Sequence, residues 1–283
     1  MRRRGIAAAV LAAAVLLAGA ASFAAPTPGR LFADKRPGAV PVDVELVLAV
    51  DISYSMDPEE QALQREGYVQ ALTSPEFLRA LREGANGKIA VTYVEWAGAH
   101  EQRIIVPWRL VEGPESADAL ASEIARVPLR RAARTSVSGA ILFSKDLFAT
   151  SGYRGLRRVI DVSGDGANNA GSPVTVARDG AISEGITING LPILLNRPNV
   201  GQMDLVNLDE YYEDCVIGGP GAFMIPIRER SQFVTATRTK LILEIAGRTP
   251  EPRVIPASAD KPRMSCMVGE RMWQERWGGY EWR

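Results

Sequence analysis

Residues 44–50 read VELVLAV and lead without a break into Asp51-Ile52-Ser53-Tyr54-Ser55. A near-continuous apolar run of this length is typical of a strand that is buried on both faces of a parallel sheet. The polar residues that follow lie where this strand ends, which is where ligands bind in open α/β sheets. The stretch therefore predicts both the class of fold and the place of a functional site.

Strand and helix patterns alternate along the rest of the chain. Apolar runs predict strands over 88–96, 103–106, 158–162, 186–195 and 222–227. Capping signals and periodicity predict helices over 57–72, 116–126, 136–149, 173–184 and 228–246, and a short helix that begins at residue 74. The short connection through His100 predicts an antiparallel hairpin. The predicted fold class is α/β: a Rossmann-like, doubly wound, mostly parallel sheet with one antiparallel edge strand and helices on both faces.

Composition limits the function classes. The 283 residues carry 33 Lys and Arg against 33 Asp and Glu, so the chain has no basic excess of the kind typical of nucleic-acid-binding proteins. A hydrophobic content of 46% is enough for a buried core, which disfavours a disordered chain.

The first residues have the layout of a secretory signal. Arg2, Arg3 and Arg4 precede an Ala/Leu/Val-rich run that ends in Ser22-Phe23-Ala24. We expect a signal peptide over 1–24, a linker over 25–42, the α/β domain over 43–247 and a Pro-rich, aromatic tail over 248–283. Cleavage would give a periplasmic or secreted protein without a stable membrane span; the alternative is an uncleaved membrane anchor. Removing the three signal arginines leaves 30 basic side chains against 33 acidic, a net charge of −3.

Five oxygen-bearing residues are predicted to converge at one edge of the sheet. Asp51, Ser53 and Ser55 alternate beyond the first strand, Thr135 opens a predicted helix, and Asp165 follows the strand over 158–162. Two carboxylates and three hydroxyls suit a hard, octahedral cation such as Mg²⁺ or Mn²⁺. The alternative is that these residues are strand-end caps and turn formers.

At these five residues the sequence resembles the von Willebrand factor A-type domain, and most closely a bacterial exported branch known only as a domain of unknown function. The resemblance covers about residues 43–247. It implies a metal-ion-dependent adhesion site in which Ser53 and Ser55 bind the metal directly, Thr135 switches with occupancy, and Asp51 and Asp165 act partly through water. It also implies that the metal binds a carboxylate of an Asp or Glu on a protein partner, in a non-enzymatic adhesion or assembly role.

Two other functions remain open on the sequence. The turn Gly164-Asp165-Gly166-Ala167-Asn168-Asn169 is similar to a motif of haloacid dehalogenase-type phosphatases, which also bind Mg²⁺. Those enzymes place an acid/base Asp two residues after the nucleophile, and here that position is Ser53. The third hypothesis is a structural module that binds its partner without metal.

A candidate partner-binding rim consists of Tyr54, Arg131, Arg134 and Asn168. Arg131 and Arg134 belong to a basic stretch that leads into Thr135, and this stretch would attract an anionic partner beside the cation. The alternative is an ordinary solvated basic loop. His100, the only histidine, lies in a predicted turn away from this edge, so we expect a solvated loop residue there.

The tail carries the remaining predictions. Cys215 and Cys266 are the only cysteines, and an even number in an exported chain favours a disulfide between them, the alternative being two unrelated thiols. Trp273 and Trp277 are one helical turn apart. Either the tail folds back on its own domain, tied by the disulfide, or it presents an exposed aromatic patch to a partner.

Overall fold

The computed structural model describes residues 38–195, 205–247 and 264–277. The predicted signal peptide, most of the predicted linker and both ends of the predicted tail lie outside these residues. No helix within the described ranges combines the length and the apolar character that crossing a bilayer requires.

A five-stranded sheet forms the centre of the domain, with the strand order β3-β2-β1-β4-β5. The strands are β1 (Val40–Asp51), β2 (Ile89–Trp96), β3 (Gln102–Val111), β4 (Tyr153–Gly164) and β5 (Ile186–Pro192). Every pair is parallel except β2 with the edge strand β3, which is antiparallel. The predicted fold class and the hairpin through His100 are confirmed.

Helices cover both faces of the sheet. They are α1 (Pro58–Leu72), α2 (Pro75–Arg82), α3 (Pro114–Arg126), α4 (Val137–Leu147), α5 (Val174–Ser183), α6 (Leu208–Tyr211), α7 (Phe233–Ala246) and α8 (Val268–Trp277). Residues of β1 alternate between two hydrophobic clusters: Leu46 and Leu48 pack with α1, α2, α3 and α7, whereas Val47 and Ala49 pack with α4 and α5. The central strand is therefore buried on both faces, as its apolar sequence predicts.

Local signals account for several helix ends. Asp57 caps α1 by accepting from the Glu60 backbone N–H at 2.8 Å, while the Glu60 carboxylate accepts from the Asp57 N–H at 3.0 Å. Ser74 caps α2 in the same way through the Phe77 N–H. Gly247 ends α7 with a φ of +63°, a conformation that glycine adopts without a steric penalty.

Other bounds differ from the predictions. β1 begins at Val40, inside the stretch predicted as a linker, and β3 continues to Val111. The predicted strand over 222–227 is wrong, because this segment forms only isolated bridges, Met224 with Gly190 of β5 and Ile227 with Ile193 just beyond β5. Its neighbours Gly219 and Gly221 have positive φ, and Pro226 has no N–H to donate to a ladder. α7 begins only at Phe233, after a short 3₁₀ turn over Arg230–Gln232.

Candidate functional site

The ends of β1 and β4 bring the two acidic residues of the predicted metal set to one edge of the sheet. Asp51 is the last residue of β1, and Val50 pairs with Ser163 of β4, two residues before Asp165. Ser53 Oγ lies 2.7 Å from Ser55 Oγ, and Ser55 Oγ donates to Asp165 Oδ1 at 2.6 Å. Side chains that are 110 residues apart in sequence are thus joined in one chain of hydrogen bonds.

Thr135 lies against the same loop. A Cβ at Gly166 would lie 3.5 Å from Thr135 Oγ1, so Thr135 is a direct neighbour of the residue that follows Asp165. The Thr135 N–H donates to Asn169 Oδ1 at 3.0 Å, and the Asn169 N–H donates back to the Thr135 carbonyl at 2.8 Å. In the basic stretch before Thr135, Ala132 pairs with Ser53, and this bridge ties the stretch to the residues that follow β1.

The cluster contains two buried acidic side chains. Asp51 is fully buried and Asp165 is 6% exposed. Burial first, and the nearby Asp165 carboxylate second, raise the pKa of Asp51 well above its usual range. Asp51 Oδ1 accepts from the Ser53 N–H at 2.7 Å, but Asp51 Oδ2 has no hydrogen-bond partner among the described residues. A divalent cation near these two carboxylates would neutralise their charge and supply the missing interaction, so the residues present fit a metal.

The donor set is one of oxygens. Within the described residues, no group of three or more His, Cys, Asp or Glu side chains is placed to hold a metal ion. A cation at this edge would therefore depend on the hydroxyls of Ser53, Ser55 and Thr135 in addition to the two carboxylates. Such a set favours Mg²⁺ or Mn²⁺ over metals that prefer thiolate or imidazole ligands.

Tyr212 is a member of this site that the sequence did not predict. It begins a single π-helical turn, Tyr212–Val216, and its buried hydroxyl also has no partner among the described residues. A Cβ at Gly164 would lie 2.8 Å from Asp51 Oδ2 and 3.1 Å from the Tyr212 hydroxyl. Burial, followed by the nearby Asp51, raises the pKa of Tyr212 well above its usual range, so this hydroxyl stays neutral near Asp51.

The four residues of the predicted rim differ in exposure. Tyr54 is 60% exposed, and Arg131 donates to the Tyr54 carbonyl at 2.6 Å while its guanidinium lies 5.3 Å from the centre of the Tyr54 ring. Arg134 is half-buried, with its guanidinium 3.5 Å from the centre of the Trp273 ring. Asn168 is fully buried. Tyr54 and Arg131 thus form a surface beside the site, whereas the Asn168 side chain lies beneath it.

The tail returns to the site. Cys215 and Cys266 form the predicted disulfide. Trp273 of α8 is half-buried against Arg134, as the fold-back interpretation predicts, whereas Trp277 is 44% exposed. His100 lies in the exposed turn between β2 and β3, in agreement with the prediction of a solvated loop residue.

Solved structures show the same fold. A structure of proximal thread matrix protein 1 (PTMP1) from the mussel byssus matches with a TM-score of 0.54 and 15% identity, over 74% of this chain and 49% of that chain. A structure of the same protein with a zinc-occupied MIDAS motif matches equally, with a TM-score of 0.54, 16% identity and the same coverage of 74% and 49%. The pilus adhesin SpaC from Lactobacillus rhamnosus GG, in an open conformation, matches with a TM-score of 0.51 and 13% identity, over 75% of this chain and 30% of that chain.

These matches span about half of the mussel protein and less than a third of the adhesin, and at such identities they show the fold alone. The fold is that of the von Willebrand factor A-type domain. Residues 41–249 match the family described as "Protein of unknown function (DUF1194)", and the chain belongs to this family. No curated protein matches the sequence.

Proposed function

We propose that this member of the DUF1194 family is an exported, non-enzymatic binding protein that holds a divalent cation, Mg²⁺ or Mn²⁺, at the edge of its sheet. Ser53 and Ser55 would provide direct oxygen ligands, Thr135 would switch with occupancy, and Asp51 and Asp165 would hold bound waters. The protein would use this site in the periplasm or outside the cell to capture an Asp or Glu carboxylate of a protein partner.

One observation carries the proposal: the chain Ser53–Ser55–Asp165, closed by distances of 2.7 and 2.6 Å, lies beside the buried Asp51 carboxylate with its unpartnered Oδ2. Two hydroxyls and a carboxylate that bond to one another in this way are already close together, as ligands of one cation would have to be. Burial disfavours the charged form of both carboxyl groups, so two buried acids side by side are costly. An ordinary turn does not require them.

The ligand types account for partner capture. When bound, the cation would supply a positive centre that seeks further oxygen ligands, because hydroxyls donate less charge to it than carboxylates do. Asp51 and Asp165 would balance its charge from beneath, and a carboxylate from outside would complete the octahedron. Tyr54 and Arg131, whose guanidinium lies over the Tyr54 ring, would flank such a carboxylate, and the positive charge of Arg131 would favour an acidic surface around it.

The comparisons support this proposal at the level of the fold. The mussel protein binds zinc at its MIDAS motif, and SpaC is a pilus adhesin. Neither protein shares enough sequence with this chain to assign its metal or its partner.

Calorimetric titration of the protein with Mg²⁺ and Mn²⁺ tests the metal. We expect saturable binding of one ion, abolished by Ser53→Ala and by Asp165→Asn. The exposed Ser183 and Asp179 offer matched controls, Ser183→Ala and Asp179→Asn, which should bind as the wild type does. Absence of binding to the wild type, or equal binding to Ser53→Ala and Ser183→Ala, would refute the metal site.

Capture of a partner is tested by a pull-down from an extract of the producing cells. Retained proteins should be lost with a chelator, recovered on addition of Mg²⁺, and absent when the bait is Ser53→Ala. Capture that persists with the chelator would support a metal-independent binding module instead. Mg²⁺-dependent hydrolysis of an aryl phosphate that is lost in Asp51→Asn would support the phosphatase alternative.

A further inference from the structure

Helix α8 approaches the loop that carries Asp165 at close range. A Cβ at Gly269 would lie 2.2 Å from the carbonyl oxygen of Asn168, so only a glycine allows the helix to lie this near. The next residue, Glu270, accepts a hydrogen bond from Asn168 Nδ2 through Oε1 at 2.7 Å. Residues beyond the match to the family, which ends at 249, therefore contact the loop of the proposed metal site.

Asn168 is the point at which several elements join this loop. Its Oδ1 accepts from the Ser138 N–H in the first turn of α4 at 3.0 Å, and its backbone N–H donates to the Tyr211 hydroxyl at 3.2 Å. Its Nδ2 donates to the Ser172 carbonyl at 3.1 Å as well as to Glu270. Because Asn168 is fully buried and three residues from Asp165, these bonds determine where the loop lies.

A second contact from α8 reaches the Thr135 side. Trp273 stacks on the Arg134 guanidinium at 3.5 Å, and Arg134 donates through Nε to Asn169 Oδ1 at 3.2 Å. The same Asn169 oxygen accepts from the Thr135 N–H. Arg134 has a φ of +72°, a left-handed conformation that costs a non-glycine residue about 1 kcal/mol or more, so its contacts must hold it there.

The disulfide anchors α8 to a segment that also contacts the site. Cys266 lies two residues before α8, and Cys215 belongs to the π-helical turn that begins with Tyr212 beneath Asp51. The Met264 N–H also donates to Asp214 Oδ2 at 2.7 Å, next to Cys215. The disulfide therefore joins two segments that both contact the proposed metal site, the turn that begins at Tyr212 and helix α8.

We propose that α8 is a positioning element for the metal site, in which Glu270 acts through Asn168 on Asp165 and Trp273 acts through Arg134 on Thr135. The inference rests on the proposed function, since it assigns residues that support the same site. Residues that orient metal ligands from the second layer typically change metal affinity by about 10- to 100-fold when they are removed. Glu270 acts one residue farther from the ligands than these, so Glu270→Ala should weaken Mn²⁺ binding by up to about tenfold.

The experiment measures free Mn²⁺ by electron paramagnetic resonance during titration of the exported protein with its disulfide intact. Glu270→Gln keeps the Oε1 acceptor and should restore the affinity, whereas a purely structural loss would not depend on that oxygen. Glu275→Ala, an exposed position on the same helix, is the matched control. Thermal unfolding without metal reports separately on the fold of each variant.

The outcomes separate the two proposals. Absence of Mn²⁺ binding by the wild type would overturn the proposed function and with it this inference. Wild-type binding with equal affinity in Glu270→Ala would overturn the positioning role alone, as would equal weakening in Glu270→Ala and Glu270→Gln. Trp273→Ala provides an independent arm, because it should weaken Mn²⁺ binding without touching Asn168.

Discussion

Replacing Glu244 by glutamine should remove a large part of the pH dependence of this protein's stability between pH 4.5 and about 7. Lys240 Nζ lies 2.5 Å from Asp161 Oδ1 and 2.5 Å from Glu244 Oε1, and all three side chains are fully shielded from solvent. Asn189 Nδ2 donates to the same Glu244 oxygen at 3.0 Å, and Tyr68 approaches Asp161 from α1 at 3.4 Å. One buried cation thus serves two buried carboxyl groups.

The magnitude follows from the proton that the folded state retains. Burial, followed by the Asp161 carboxylate, raises the pKa of Glu244 from 4.5 to about 7. Burial also raises the pKa of Asp161. An acid whose pKa is raised by folding contributes stability that is fully present below its unfolded pKa and is lost as the pH rises through its folded pKa. For Glu244 that interval, from 4.5 to about 7, corresponds to roughly 3 kcal/mol of unfolding free energy.

Urea unfolding followed by Trp fluorescence, at a series of pH values and without reductant, measures the effect. The glutamine side chain would keep the Oε1 acceptor but carry no charge, so Glu244→Gln should match the wild type near pH 4 and exceed its stability near pH 8. The exposed Glu112→Gln is the control and should follow the wild type throughout. A stability difference between Glu244→Gln and the wild type that stays constant across this range, or that grows towards acid pH, would refute the reasoning.

Two further substitutions test the packing around the site and the sheet. Gly164→Ala would place a Cβ 2.8 Å from Asp51 Oδ2, and we expect it to abolish Mn²⁺ binding in the titration by electron paramagnetic resonance. Gly180→Ala in α5 is the control, because a Cβ there meets nothing within 4 Å and the variant should bind Mn²⁺ normally. Equal Mn²⁺ affinities of the two variants would contradict the geometry. Asp43→Ala removes the buried carboxylate that accepts from the Asn86 backbone and side chain at 2.8 and 3.0 Å. It should cost about 1–2 kcal/mol in urea unfolding, because hydrogen bonds to a charged acceptor are lost and the exposed Asn86 regains only water; a cost below about 0.5 kcal/mol would contradict this.

The sequence predicted the parts of the fold that depend on local patterns. The apolar run over 44–50, the capping box at Asp57 and the glycine at 247 each act within a few residues, and each corresponds to an element or a boundary in the structure. The spacing of Asp51, Ser53 and Ser55 placed these residues at the end of β1 for the same reason. Thr135 and Asp165 were placed with them by their positions at element ends, which parallel strands bring to one edge.

The parts that the sequence did not predict depend on contacts between distant residues. The segment over 222–227 has a strand-like composition, but Pro226 and the preceding glycines limit it to isolated bridges with Gly190 and Ile193. The π-helical turn at Tyr212 has no composition signal, because one extra residue in a helical turn is selected by its surroundings. Glu270 and Trp273 reach the proposed site through contacts of long range, among them the disulfide that joins residue 266 to residue 215 across a separation of 51 residues.

The hydrogen bond between Ser55 and Asp165 also has a consequence for how the protein folds. It closes a loop of 110 residues, for which the entropic cost of closure is on the order of 4 kcal/mol. Contacts of such long range form late, after the local helices and the β2–β3 hairpin. Under the proposed function, a chain in which β1 and β4 have not yet paired would lack the metal site, and the binding of Mn²⁺ during refolding would report the pairing of these strands.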